Sequence, residues 1–227
     1  MIIQTVLSAF LSASGLPGNI ETSVPEWALT SYGEDMLFTV KRNGKPIGTH
    51  AVKFSRDGDA FVVDTKTKLK VKFLFFTAYK FEYTAQEIWR DGKVQQVFAD
   101  TNNNGEDFIY EMTFDADKVT IADGSADAVF DLDPNTYPSN HWHPKVLSAQ
   151  VIINTLSGVP NQVEITPTDW ELVSTAQDER RAQRYEYSGE LENVSSWYDE
   201  KGRWVALEFK GEDGSTISYE CVRCGAL

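Results

Sequence analysis

From Met36 onward, apolar and polar residues alternate in short stretches that are separated by turn dipeptides. Asn43-Gly44, Asp57-Gly58 and Asp91-Gly92 supply the positive φ angles that tight hairpins need. Alternation with a period of two, bounded by such turns, predicts β-strands joined as antiparallel hairpins. The predicted strands cover residues 36–41, 47–54, 61–73, 79–89, 93–99, 107–114, 118–121, 127–132, 162–166, 170–175, 183–191, 195–198, 204–209 and 215–220.

This pattern predicts an all-β fold: a single large twisted antiparallel meander sheet, open or half-barrel, with one short helix. The helix is expected over residues 144–154, because Pro144 stands where a helix tolerates the loss of a backbone N–H. No internal repeat and no shift in composition marks a second domain after Trp27.

The first fifteen residues are apolar and have about the length of the hydrophobic region of a signal peptide, but the first basic residue is Lys41. Two interpretations follow: a secretory leader without its basic region, or an amphipathic segment that packs on the domain. Pro17, Gly18 and Pro25 favour a linker that ends any helix before Trp27. We expect a leader or tail with its linker over 1–26, a single β domain over 27–227, and a periplasmic or secreted protein.

The charge and hydrophobic content of the chain limit the kinds of molecule that it can bind. The 227 residues include 21 Lys and Arg against 34 Asp and Glu, a net charge of −13, which excludes a surface built to bind nucleic acid. Hydrophobic residues make up 41%, enough for a globular core, and no apolar run reaches the roughly 20 residues of a membrane-spanning helix.

Two adjoining stretches carry the ligand hypothesis. Residues 65–73 alternate lysine with Thr, Leu, Val and Phe, which places four ammonium groups on one face: a solvated or protected edge strand, or a docking surface for an anion. Residues 73–83 contain six aromatics, which either pack in the core or line a concave groove. The predicted ligand-binding residues are Phe73, Phe75, Phe76, Tyr79, Phe81, Lys68 and Lys70, with the lysines holding an anionic head at the rim.

A possible calcium site follows the fifth predicted strand. Asp100, Asn102, Asn104 and Glu111 occupy the spacing of an EF-hand loop, with Gly105 at its sharp turn. The flanking residues are typical of strands rather than helices, so a hairpin loop explains the same residues more simply. No cofactor is predicted.

The segment Ser139-Asn-His141-Trp-His143 carries two further hypotheses beside a purely structural loop anchored by Trp142. His141 can act as an acid or base oriented by Asp131 or Asp133, with Ser139 as a nucleophile, although no Gly-x-Ser-x-Gly elbow is present. Alternatively, the two histidines and the terminal pair Cys221 and Cys224 can complete a tetrahedral metal site. The cysteine pair can also form a structural disulfide. A redox pair is less consistent with the sequence, because redox motifs of this type lie at the start of a helix and this pair follows a strand.

Several segments together resemble an uncharacterised family of exported proteobacterial proteins that is defined only as a domain of unknown function. They are the hairpin of residues 38–50, the strand of residues 70–76, the motif at 87–92, Ser139-Asn-His-Trp, and the closing hairpin of residues 197–210. The resemblance covers residues 32–219. It implies an exported all-β protein with a curved open sheet, distantly similar to envelope lipid and lipoprotein carriers, and it supplies no catalytic residues.

We therefore expect a non-enzymatic envelope protein that binds an apolar small molecule or lipid in an aromatic-lined groove. The alternatives are a hydrolase or isomerase that uses His141, and a protein-interaction module.

Overall fold

The computed structural model describes residues 23–225 except 74, 75, 126, 132, 134 and 135, and it leaves the side chains of residues 73 and 76 undescribed. One helix, α1 (Val24–Tyr32), precedes fifteen strands. The strands are β1 (Asp35–Arg42), β2 (Lys45–Asp57), β3 (Ala60–Phe73), β4 (Phe76–Arg90), β5 (Lys93–Asn103), β6 (Glu106–Phe114), β7 (Lys118–Ala122), β8 (Asp127–Asp131), β9 (Thr136–Pro138), β10 (Val151–Asn154), β11 (Val159–Ser174), β12 (Glu179–Gly189), β13 (Val194–Asp199), β14 (Trp204–Lys210) and β15 (Thr216–Arg223). A 3₁₀ helix (Pro144–Ser148) lies between β9 and β10.

All fifteen strands belong to one sheet, which confirms the predicted meander. Strands β1 to β8 follow one another in sequence order, strands β9 to β15 do the same, and the two halves join where β1 pairs with β15. Every pair is antiparallel except β9 with β10. Within the described residues the sheet is not closed, because its end strands β8 and β9 do not pair.

The sheet curls strongly about its own inward face. Strands β8 and β9 are its opposite edges, yet only residues 132–135 separate them along the chain. Five peptide steps span at most about 18 Å. The two edges therefore lie near each other, and the inward face is enclosed by both halves of the sheet.

One end of this enclosed space, which we call the base, is filled by α1 and by the segment before β10. Val24, Ala28 and Tyr32 of the helix are buried. The Tyr32 hydroxyl donates to the Trp142 carbonyl oxygen at 2.9 Å and accepts from the Trp204 N–H at 2.8 Å. The helix thereby holds the 139–143 segment against the centre of the sheet.

The helix prediction is wrong in position. Pro144 does begin a helical turn, but that turn ends at Ser148, and residues 151–154 form β10 between β9 and β11. The only α-helix of the described residues begins at Val24, inside the segment predicted to be a linker. Pro25 lies in its first turn, where proline starts a helix instead of ending one. The division at residue 26 itself stays a prediction.

Strands β9 and β10 are not predicted because they are only three and four residues long. The strands predicted over 162–166 and 170–175 are one strand, β11, with an irregularity between Pro167 and Trp170. Among the described residues, no helix combines the length and the hydrophobicity that a bilayer crossing needs.

Candidate functional site

The inward face of β3 to β6 changes character from one end to the other. Neighbouring strands align its side chains in rows, because paired residues of an antiparallel sheet share a face. At the hairpin end of β3 and β4, Leu69 lies opposite Phe81 and Val71 opposite Tyr79. We call these four side chains the mouth. The next row inward, the polar row, consists of His50, Thr67, Tyr83 and Thr101, paired in that order across four strands.

The mouth is apolar and only half-buried. Its four side chains are partly exposed, whereas the inward side chains nearer the base are nearly all buried. Phe81 packs on a small cluster with Tyr83, Ala85 and Ala99 that is separate from the main core. The Tyr79 hydroxyl donates to Asn103 Oδ1 at 2.8 Å. The mouth is therefore an apolar surface on a folded scaffold beyond the limit of the core.

In the polar row, some side chains are bonded across the interior. His50 Nδ1 lies 2.8 Å from Thr67 Oγ1. The Tyr83 hydroxyl lies 2.7 Å from Thr155 Oγ1 on the opposite half of the sheet, and Thr155 Oγ1 lies 2.9 Å from Ser139 Oγ. Burial raises the pKa of Tyr83 and, with His141 as a second cause, lowers the pKa of His50 to about 3.

Two other threonine hydroxyls, one in this row and one in the next, have no hydrogen-bond partner among the described residues. The Oγ1 atoms of Thr65 and Thr101 are buried and make no hydrogen bond to any described residue. Thr65 belongs to the next row, in which Ala85 and Ala99 are its neighbours on β4 and β5. Buried polar atoms normally have partners, so unpaired hydroxyls beside such small side chains are what a site for a polar group or a water requires.

The base differs in that its buried carboxyl group is fully hydrogen-bonded. Glu87 is fully buried, and its carboxyl accepts from Trp89 Nε1 at 2.8 Å, Trp142 Nε1 at 3.0 Å and Asn140 Nδ2. Burial raises its pKa to about 7, while the three N–H donors act in the opposite direction. Two sequence motifs, 87–92 and 139–142, therefore meet to fix the 139–143 segment on β4.

The histidines of that segment are also buried. His143 stacks on Trp89 with ring centroids 5.3 Å apart, and its Nδ1 accepts from the Lys145 N–H. His141 packs on Trp204, and its Nδ1 lies 3.3 Å from the Tyr187 hydroxyl. Burial lowers the pKa of His141 to about 4 and, as its main cause, that of His143 to about 3.

The acid–base hypothesis gains no support from this packing. The hydrogen-bonding neighbour of His141 Nδ1 is a tyrosine, whereas Asp131 lies exposed on the edge strand β8, opposite Lys118. A carboxylate beside the ring would raise its pKa, but the ring's shift is downward and due to burial. Asp133 lies between β8 and β9.

The metal hypothesis that joined these histidines to the cysteines is wrong, because Cys221 and Cys224 form a disulfide.

The EF-hand spacing also falls on a different structure. Asp100 and Asn102 lie on β5 and Glu111 on β6, while Asn104 and Gly105, both with positive φ, form the hairpin turn between them. The simpler hairpin interpretation is therefore the correct one. Among the described residues, no three His, Cys, Asp or Glu side chains are placed to hold a metal ion.

The predicted ligand-binding residues fall on both faces of the sheet. Tyr79 and Phe81 lie in the mouth, and Phe75 lies outside the described residues, as do the side chains of Phe73 and Phe76. Lys68 and Lys70 are exposed on the outward face. The prediction that they hold an anionic head at the rim of the same groove is wrong, because alternate residues of a strand point to opposite faces.

Four residues of this region were not singled out from the sequence: Leu69, Val71, Thr65 and Thr101. The alternation within residues 65–73 carries the signal for the first three, since it separates Thr, Leu and Val from the lysines.

On the outward face, two shallow open grooves of about 440 and 420 Å³ cross β3 to β6. The first is bordered by the exposed Phe98 and Ile109.

A family model described as "Domain of unknown function (DUF6134)" matches residues 38–222. The chain belongs to this family. The match spans both halves of the sheet, so the DUF6134 domain includes the mouth, the polar row and most of the base. A search of curated proteins finds no match.

Among solved structures, the DUF6134 chain is similar to a β-barrel-like protein of the domain of unknown function DUF1849 from Brucella abortus. The TM-score is 0.59 at 8% sequence identity, and the alignment covers 84% of this chain and 96% of the other. This likeness concerns the fold alone.

Proposed function

We propose that this domain is a non-enzymatic binding protein of the cell envelope that holds an amphiphilic, lipid-like molecule at the hairpin end of its inward face. The observation that carries the proposal is the mouth. Four apolar side chains, Leu69, Val71, Tyr79 and Phe81, stay half-exposed on the concave side of the sheet, where the remaining inward positions are nearly all buried. Covering them with an apolar ligand removes apolar surface from water. This burial favours binding by about 25 cal/mol of free energy for each Å².

The polar row defines the other part of the ligand. A molecule whose apolar part covers the mouth places its inner end towards Thr101 and Thr65, whose hydroxyls lack partners among the described residues. A hydroxyl or carboxylic acid can bond to these atoms, which an alkane cannot do. We therefore propose a ligand with a long apolar body and one small polar group.

The disulfide supports the proposed envelope location. Cys221 and Cys224 are bonded to each other, and both are buried. Disulfides persist in exported proteins and are rare in the reducing cytosol. Thiol labelling of the denatured protein, taken directly from its own cells, tests the location: labelling only after reduction is expected, and labelling before reduction would contradict it.

Titration with a fluorescent long-chain fatty acid tests ligand binding. The full chain is expected to bind the probe saturably at one molecule per chain. Leu69→Asp introduces a carboxylate into the mouth and is expected to weaken binding at least tenfold. Because Leu69 is only half-buried, the variant should remain folded, which circular dichroism and thermal unfolding can verify.

Leu172→Asp is the matched control, since Leu172 is 68% exposed on β11. It makes the same chemical change on a surface that the proposal does not use. Equal binding by both folded variants, or no saturable binding by the wild-type chain, would refute the proposed function.

A further inference from the structure

Five lysines form a positive patch on the outward face of the β3–β4 hairpin. We call Lys66, Lys68, Lys70, Lys72 and Lys80 the cationic patch; all five side chains are exposed. Glu82 is the carboxylate among them, and it pairs with Lys80 at 2.7 Å and with Lys68 at 3.7 Å. Asp100 and Asp107 border the same outward groove as Lys66, Lys68 and Lys80. Five ammonium groups and three carboxylates leave a net charge of +2.

This charge is opposite to that of the remaining protein. The whole chain has 21 basic and 34 acidic residues. Without the patch and these three carboxylates, 16 basic and 31 acidic residues remain, a net charge of −15. The patch therefore concentrates positive charge at one place on a strongly acidic molecule.

The patch reaches onto the part of the β3–β4 hairpin that extends beyond its last pairs with β2 and β5. The last pair of β3 with β2 is Leu69 with Gly48, and the last pair of β4 with β5 is Phe81 with Asn103. Beyond these pairs, the two strands pair only with each other, apart from one bond from Asn104 N–H to the Lys80 carbonyl. Lys70, Lys72 and Lys80 lie on this extension.

Folding does not explain the arrangement. Lys70 is directly opposite Lys80, and like charges in that position destabilise a sheet. Lys66, Lys70 and Lys72 form no ion pair with any described residue. Protection of an unpaired strand edge does not account for Lys66 and Lys68, because β3 is paired with both β2 and β4 at these two positions.

We propose that the cationic patch docks the protein on the surface of an anionic phospholipid bilayer. Ammonium groups exposed on one face of a hairpin are complementary to the phosphate headgroups of a bilayer surface, and each lysine near such a surface strengthens binding about fivefold. The proposal does not depend on ligand binding in the mouth, which lies on the opposite face of the same hairpin.

Co-sedimentation with vesicles tests this proposal. The full chain is expected to sediment with phosphatidylcholine vesicles that contain one third phosphatidylglycerol, and to stay in solution with pure phosphatidylcholine. Raising the salt concentration should release it, because screening weakens exposed charges. A triple variant, Lys66→Gln with Lys70→Gln and Lys72→Gln, should bind about a hundredfold more weakly.

The matched control removes three exposed lysines elsewhere: Lys93→Gln with Lys118→Gln and Lys201→Gln. Each triple variant changes the net charge from −13 to −16, so a difference between them reports position rather than total charge. Equal losses in the two variants, binding to neutral vesicles, or no binding by the wild-type chain would each overturn the proposal.

Two further measurements separate related explanations. Inorganic phosphate at the concentration of lipid phosphate and at constant ionic strength should not displace the protein; displacement would show a site for free phosphate instead of a bilayer surface. The patch variant should still bind the soluble fatty-acid probe. If the wild-type chain binds the probe but not the anionic vesicles, membrane docking is rejected and the proposed function stands. If it binds the vesicles but not the probe, the proposed function is rejected and membrane docking stands.

Discussion

The base and the mouth lie on the same inward face of the same strands, yet they differ in hydrogen bonding and in burial. At the base, Glu87 receives three N–H donors and Trp142 is 1% exposed. At the mouth, Leu69 and Phe81 are partly exposed, and the hydroxyl of Thr101, one row further in, has no hydrogen-bond partner among the described residues.

Under the proposed function, this difference separates the residues that stabilise the fold from those that bind the ligand. Satisfied polar groups and buried rings hold a fold together, whereas exposed apolar surface and unpaired hydroxyls lower its stability. Changes at the base should therefore alter stability, and changes at the mouth should alter binding.

The largest effect is expected from Trp142→Ala. The substitution removes a buried indole and one of the donors to Glu87, and it should destabilise the protein by about 4 kcal/mol. Chemical denaturation measures this change. Trp170→Ala, on an outward-facing indole that is 36% exposed, is the control and should cost about 1 kcal/mol or less. Comparable losses would remove the distinction between base and surface.

A second expected effect is loss of stability on acidification. His50, His141 and His143 stay neutral in the fold, with pKa values of about 3 to 4, whereas in the unfolded chain they bind protons below about pH 6.5. Their contribution is full above pH 6.5 and is lost as the pH falls. Glu87 has the opposite effect and stabilises the fold on acidification. Its pKa is about 7 in the native state, so it binds a proton there at a pH at which the unfolded chain, with a pKa of 4.5, does not.

The histidines outnumber the glutamate, so the free energy of unfolding should fall by about 3 kcal/mol between pH 7 and pH 5. Denaturation at a series of pH values measures the slope. Glu87→Gln removes the opposing contribution and should steepen the slope. A flat profile over this range would show that the three rings are not buried as neutral groups.

A smaller effect distinguishes two buried threonines. Thr155→Val breaks the bonds to Tyr83 and Ser139 and should cost about 1 to 3 kcal/mol. Thr101→Val removes an unpaired hydroxyl and should leave stability unchanged or raise it by about 1 kcal/mol. The same variant should weaken binding of the fatty-acid probe. Equal destabilisation by both variants would mean that Thr101 has a partner within the fold.

The alternation of residues predicts most of the sheet because each long strand buries one face. Residues 65–73 show this best, since lysines outside and Thr, Leu and Val inside follow directly from a period of two. Strands β9 and β10 are too short to show the pattern. Helix α1 was missed because Pro25 can either start or end a helix, and only packing of Tyr32 against Trp142 decides between them.

The candidate site was harder to predict than the strands. The aromatic stretch marks the hairpin on which the mouth lies, whereas Lys68 and Lys70, predicted to border the same groove, lie on the other face of that hairpin. The base could not be predicted, because Glu87 and its donors Asn140 and Trp142 are more than fifty residues apart. Their meeting depends on how the two halves of the sheet curl together.

The most direct test of the central claim is photo-crosslinking with a diazirine-labelled long-chain fatty acid, followed by peptide mass spectrometry. Saturable crosslinks are expected in β3 and β4 at Leu69, Val71, Tyr79 or Phe81, and unlabelled fatty acid should suppress them. Crosslinks concentrated at Phe98 and Ile109 of the outward groove, or labelling that never saturates, would contradict it.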